Sequence, residues 1–353
     1  DAVMHIAPLL SYLDQTRPTQ PLTWQPWQLT PIPGGANNLL YRATHTQHPP
    51  LEWALFENAS SSPVVDEKIY RFQANRTIDL AIKFTVRDER NRAQREHDAL
   101  VALRQGGQAI APEPLFVDTR SYRQPVVVQR WLFGHTLSGP PTSTAQWQQL
   151  VDHYCAIHTV TPANTQIQLA PAVINATSGA TGKALIERDL ARIPPEARRE
   201  SLNRLVAWAK TWEPPMWKLP QLTLCRVDGN WRNFIQQEEQ IASVDWENSG
   251  WGDPAFEIAD VITHPAYVDV PEERWAWMIE AYAAQQADAT VMIRIQTYVT
   301  VMRLWWVVRS ACYLYEVPRG LDERLVSRPA DWEERAEQLF ARAVALAEQA
   351  IAQ

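Results

Sequence analysis

Ile6, Leu9, Leu10 and Leu13 recur at helical spacing within Met4–Leu13, which predicts a helix with one apolar face. Pro18, Pro21 and Pro26 end that regularity, and from Trp27 the pattern changes to short β-type runs. Gln28–Ile32 and Leu39–Thr44 read as strands joined by the turn Pro33-Gly34-Gly35-Ala36-Asn37-Asn38. Residues 45–77 carry little regular signal. His48-Pro49-Pro50 and Ser60-Ser61-Ser62-Pro63 mark loops there, with short strands expected at Trp53–Phe56 and Lys68–Phe72. Leu80–Val86 is a strong strand signal, and a charged helix follows over Asp88–Arg104. Ala93, His97, Leu100, Val101 and Leu103 lie near one side of that helix, and Gly106-Gly107 ends it. Leu115–Val117 and Pro125–Trp131 complete the expected sheet.

Gly134 and Ser138-Gly139-Pro140-Pro141 mark a connection, after which the pattern is mostly helical: 143–159, 180–191, 196–213, 271–287, 289–315 and 331–351. Embedded among these helices is a β-type run, Leu222–Cys225, leading to Asp228. A hairpin follows, in which Phe234-Ile235 pairs with Ile241–Val244 around the polar turn 236–240. The expected class is α+β with two lobes. A small antiparallel sheet lobe with one helix occupies 27–133, with an insertion at 45–77. A helical extension, 1–26, precedes it, and a larger, mainly helical lobe occupies 134–353.

Composition narrows the function less than patterning narrows the fold. The chain has 353 residues, 46% apolar and 21% charged, as in ordinary globular proteins. A net charge of −7 gives a nucleic-acid partner no electrostatic support and weakly favours a cationic small molecule. The three cysteines, Cys155, Cys225 and Cys312, have no metal-ligand spacing and suit the reduced thiols of a cytoplasmic protein. No apolar run reaches the roughly 20 residues that span a bilayer, and no basic-then-apolar leader opens the chain. Most of the 16 tryptophans are expected in cores or lobe interfaces.

The chemistry lies in Leu224-Cys225-Arg226-Val227-Asp228-Gly229-Asn230-Trp231-Arg232-Asn233 and Ser243-Val244-Asp245-Trp246-Glu247. Phosphoryl transfer from a nucleotide needs one polar group at the attacking hydroxyl and two holding magnesium. Asp228 suits the first role. The Asn233 amide and the Asp245 carboxylate suit the second, because oxygen donors favour a hard cation and the hairpin returns Asp245 beside Asn233. Lys83 within an apolar strand is costly unless its ammonium finds a partner, and Glu96 on the following helix is the natural one. Gly34 and Gly35 would let a hairpin approach a triphosphate closely. Taken singly, Asp228-Gly229 could be a hairpin turn, Asp253 before Pro254 a turn and cap, and His158 a packed helix-end residue.

The order of these features resembles the aminoglycoside phosphotransferase family, choline-kinase-like small-molecule kinases with a protein-kinase-like fold. It runs from the glycine hairpin through Lys83, Glu96 in Arg95-Glu96-His97-Asp98-Ala99-Leu100 and the linker Gln129-Arg130-Trp131-Leu132-Phe133-Gly134 to the catalytic loop and Asp245. Ala156-Ile157-His158 and Trp246-Glu247-Asn248-Ser249-Gly250-Trp251-Gly252-Asp253-Pro254 add to the likeness, which covers roughly residues 27–315. The resemblance implies transfer of the γ-phosphate of ATP or GTP, with Mg2+, to a hydroxyl of a small acceptor. It implies a nucleotide between the lobes near Gln129 and Trp131, and an acceptor lined by Glu247 and Asp260. Two positions depart from the pattern: Arg226 stands where the family keeps histidine, and Val227 where it keeps glycine. Arg226, together with a hairpin Gly34-Gly35-Ala36-Asn37-Asn38 that is not a full protein-kinase glycine loop, is the ground for the alternative, a catalytically silent kinase-like module that binds a nucleotide or a partner.

Overall fold

The computed structural model describes residues 6–35, 37–45, 52–56, 67–71 and 78–353, the strands 52–56 and 67–71 by their backbone. Most of the insertion at 45–77, with Met4, Ala36 and Phe72, lies outside the described residues.

The first lobe runs α1 (Ala7–Thr16), β1 (Leu22–Trp24), β2 (Trp27–Ile32), β3 (Asn38–His45), β4 (Glu52–Phe56), β5 (Glu67–Arg71), β6 (Asp79–Thr85), α2 (Arg92–Gln105), β7 (Pro114–Asp118) and β8 (Val126–Arg130). Six strands form one antiparallel sheet in the order β1-β2-β3-β6-β8-β7, and among the described residues β4 pairs with β5 as a separate ribbon. The apolar face of α1 packs with Trp27, Leu29, Leu80, Ile82, Phe84, Val126 and Val128 in one core. Residues before Trp27 are thus built into the sheet lobe, through this packing and through β1, a strand too short to carry a periodic signal.

Side chains alternate across a strand. Leu80, Ile82 and Phe84 enter the α1 core, so Lys83 points to the other face, where α2 lies. On α2, Ala99, Leu100, Ala102 and Leu103 pack into the core of the second lobe, which makes this helix the bridge between the two.

The second lobe contains β9 (His135–Thr136), α3 (Thr144–Ile157), α4 (Gly179–Leu190), α5 (Glu200–Thr211), β10 (Thr223–Cys225), β11 (Phe234–Gln236), β12 (Ile241–Ser243), β13 (Gly250–Gly252), α6 (Pro254–Thr263), α7 (Glu272–Ala283), α8 (Val291–Glu316) and α9 (Trp332–Ile351). The hairpin β11–β12 forms as its sequence implies. β10 pairs with β13 instead, joining Cys225 to Gly250. Neither β13 nor α6 was evident in the sequence. All ten residues of α6 are buried, so even its polar stripe Glu257, Asp260 and Thr263, three residues apart, faces the interior, where Glu257 meets the loop after β10. Its start was legible: Asp253 caps it, accepting the Ala255 N–H at 2.9 Å, and Pro254 takes the first turn. No described helix is long and apolar enough to cross a membrane.

Candidate active site

Lys83 is buried between the lobes. Its ammonium lies 2.8 Å from Glu96, bonds Asp245 of the second lobe, and lies 3.4 Å from Glu247. Burial pulls the ammonium pKa down, but the charges of Asp245, Glu96 and Glu247 outweigh it and hold Lys83 well above its ordinary value. The Gln129 amide donates to the other Glu96 oxygen at 3.1 Å. Gln129 therefore reaches the cleft by its side chain, securing Glu96. The backbone N–H of Trp131 is taken by the Asp79 carbonyl at 3.0 Å, and its ring lies under the Arg42 guanidinium at 4.6 Å. Gly34 and Gly35 are exposed in the β2–β3 connection, and a Cβ on Gly35 would meet nothing within 4 Å.

Glu247, expected against the acceptor, is held elsewhere. Its carboxylate accepts from Arg92 at 2.6 Å and from the Asn38 amide at 3.0 Å. With Lys83 in contact, it is neutralised by the sheet lobe and ties that lobe to the segment after Asp245.

The loop after β10 is conformationally strained. Val227, Asp228 and Asp245 have φ of 63°, 63° and 65°, in the left-handed region that costs a residue with a Cβ. Arg226, fully buried, holds both segments. Its guanidinium donates to the carbonyls of Val227 (3.3 Å), Asp228, Val244 (2.5 Å) and Asp245 (3.2 Å). Glu257 on α6 accepts the N–H groups of Arg226 at 2.6 Å and Val227 at 2.8 Å. His158, bonded to Tyr282 and to Glu257 at 2.7 Å each, fixes Glu257 in turn. Gly229 lies so close to α6 that a Cβ would come within 2.9 Å of Val261.

Asp228 emerges from this loop with its side chain about a third exposed (35%). Its carboxylate lies 3.4 Å from His264 Nε2, 3.4 Å from the Asn230 N–H and 3.3 Å from the Asn233 amide. His264 Nδ1 accepts the Ala266 N–H at 3.1 Å, which leaves Nε2 as the proton-bearing nitrogen facing Asp228. Burial raises the Asp228 carboxyl, but the His264 hydrogen bond and charge, Arg226 and the Asn230 N–H together bring it below its ordinary value. Asp260, also expected at the acceptor, is buried behind the loop, close to the Asp228 backbone. Burial, with Asp228 and Glu257 nearby, pushes its carboxyl up to about 7.

Asn233 meets the Asp245 segment through its carbonyl, which accepts the Val244 N–H at 2.9 Å. The carboxylate oxygens of Glu96, Asp245 and Glu247 lie within 4.8 Å of one another, and Asp245 is the most open of the three (29% exposed). Asp253 is structural: besides capping α6 it pairs with Arg294 at 3.1 Å and accepts from Tyr298 at 2.7 Å. The structural partners Arg226, Glu257 and His264 carry no spacing signal in the sequence.

The profile of the Phosphotransferase enzyme family matches residues 28–293, and no curated protein matches the chain significantly by sequence. Among solved structures, the chain is similar to a choline/ethanolamine kinase family protein from Mesorhizobium loti at 17% identity. That match covers 97% of this chain and 94% of the other with a TM-score of 0.58. It is similar to a choline kinase from Cryptosporidium parvum at 12% identity, covering 98% and 96%, TM-score 0.61. It is also similar to a spectinomycin phosphotransferase bound to ADP and spectinomycin at 14% identity, covering 92% and 93%, TM-score 0.56. At these identities the likeness establishes the bilobal, protein-kinase-like fold.

Proposed function

The chain belongs to the phosphotransferase enzyme family, and from that premise we propose that it is a small-molecule kinase transferring the γ-phosphate of ATP or GTP to an acceptor hydroxyl. The observation that carries this reading is Lys83, whose ammonium is bonded at once to Glu96 of its own lobe and to Asp245 of the other. A cation so placed can meet nucleotide phosphates, and its charge is secured by three carboxylates.

Asp228 accepts or orients the acceptor's hydroxyl proton. Its lowered pKa keeps it ionised at neutral pH, and His264 and Asn233 fix its direction. The acceptor oxygen then bonds the γ-phosphorus, the bond from that phosphorus to the β,γ-bridging oxygen breaks, and the nucleoside diphosphate leaves. The donor set suits a hard cation, and Asp245 and Asn233 are the residues that would hold magnesium. When bound, that ion would neutralise charge on the phosphates. Gly34 and Gly35, exposed in the β2–β3 connection, would allow close approach to the nucleotide.

The silent-module alternative rested on Arg226 and on the atypical glycine hairpin. Four carbonyl contacts that hold Asp228 and Asp245 together favour the active reading instead. The test is a screen for ATP or GTP consumption over hydroxylated amines, sugars, acids and antibiotics. Acceptor-dependent nucleotide turnover supports the kinase. Nucleotide binding with a flat screen supports the silent module.

A further inference from the structure

The wall beside Asp228 carries a charge opposite to that of the chain as a whole. On α8, Arg303, Trp306 and Arg309 follow one another three residues apart, which brings them along one side of the helix. Trp306 packs edge-on against His264, with ring centres 5.5 Å apart, and His264 contacts Asp228. The stripe therefore runs past the proposed base.

Its donors lack acceptors. The Trp306 indole N–H is buried and has no hydrogen-bond partner among the described residues. Arg303 and Arg309 are half-buried, and neither makes an ion pair or hydrogen bond among the described residues. Burial alone lowers the Arg303 pKa, with no carboxylate acting against it. Arg309 is close enough to the sheet lobe for its charge to act on Arg90. Arg90 in turn reaches Asn248, close after Asp245, at 3.4 Å.

Nearby acids do not answer these cations. Glu247 is held by Arg92 and Lys83, Asp228 by His264, and Asp260 lies behind the loop. A partly desolvated guanidinium without a counter-charge is unfavourable, and so is an unpaired buried N–H. Two cations and one donor on the same wall form the recognition pattern for an oxyanion.

Resting on the kinase reading above, we propose that the acceptor is a hydroxylated small molecule bearing an oxyanion, carboxylate or phosphate. Arg303 and Arg309 bind that group, Trp306 donates to it, and the acceptor's hydroxyl meets Asp228. This reverses the weak preference for a cationic acceptor drawn from net charge.

The test is calorimetric binding of four matched probes to the full chain: gluconate, glucose 6-phosphate, glucose and glucosamine. At least tenfold tighter binding of gluconate or glucose 6-phosphate than of glucose and glucosamine is expected, and the stronger of the two names the oxyanion. Arg303→Gln and Arg309→Gln should each erase that preference by tenfold or more, and Arg303→Lys should retain much of it. Affinities independent of charge, a preference for glucosamine, or an anion preference untouched by both glutamine variants overturns the proposal. Failure of the kinase reading shows differently, as an intact charge preference with no nucleotide turnover on any acceptor.

Discussion

The two carboxylate centres of the cleft are held by opposite means. Around Lys83 one ammonium meets Glu96, Asp245 and Glu247, groups from both lobes, and the balance of charge keeps each in place. Around Asp228 the side chain makes only long contacts of 3.3–3.4 Å. There the backbone is gripped instead, by Arg226 on the carbonyl side and Glu257 on the N–H side. The first centre is an electrostatic joint between lobes. The second is a strained loop with a free-facing carboxylate. The proposed roles match this difference: a general base at Asp228 would need open lone pairs, and a phosphate anchor at Lys83 would need fixed charge.

The comparison breaks most sharply at Asp228. Asp228→Ala should lower turnover about 10²–10⁴-fold, the usual contribution of a general base, while leaving nucleotide affinity unchanged. Steady-state kinetics beside calorimetry checks this, and near-wild-type turnover removes the assigned role.

Lys83→Met should act on both function and folding. It strands the buried Glu96 carboxylate without its cation, while Glu247 keeps Arg92, a change that costs about 3–5 kcal/mol in comparable buried pairs. Denaturant unfolding should show that loss together with weakened nucleotide binding. Unchanged stability would mean the lobes are held without this joint.

Arg226→Met tests the other kind of support. Releasing the strained backbone carbonyls should cost about 1–3 kcal/mol and lower turnover more than nucleotide affinity. Equal loss in both would place Arg226 in the nucleotide site instead of behind the loop.

Asp260→Asn should change turnover least, and its signature is in pH. The folded carboxyl sits at about 7, above its ordinary 3.8. Between those values the folded state keeps a proton that the unfolded state has lost, so stability from this group declines as pH rises from about 4 to about 7. In Asp260→Asn the melting temperature should fall less over that interval. An identical slope in both proteins contradicts the buried assignment.

Much of the first lobe was legible because its strands alternate: the same period that buries Ile82 and Phe84 turns Lys83 toward α2. Glu96 followed as its partner because an isolated ammonium there is untenable. Legibility failed where burial is complete, as in α6, a ten-residue helix whose polar positions Glu257, Asp260 and Thr263 are turned inward with the rest. It failed again where one residue type serves two environments. The resemblance implied Glu247 and Asp260 at the acceptor, but no spacing showed that Arg92 pairs with the one and that the loop covers the other.

The sequence by itself determined the lobes, the strand lysine with its glutamate, and the order Asp228, Asn233, Asp245, because periodicity and the cost of unpaired charge act along the chain. Only the tertiary structure decided what Arg226 does, that His264 faces Asp228, and that the α8 stripe of Arg303, Trp306 and Arg309 is set against His264 through Trp306. Those facts depend on which distant carbonyls, rings and charges the packing brings within a few ångströms, and no spacing along the chain encodes them.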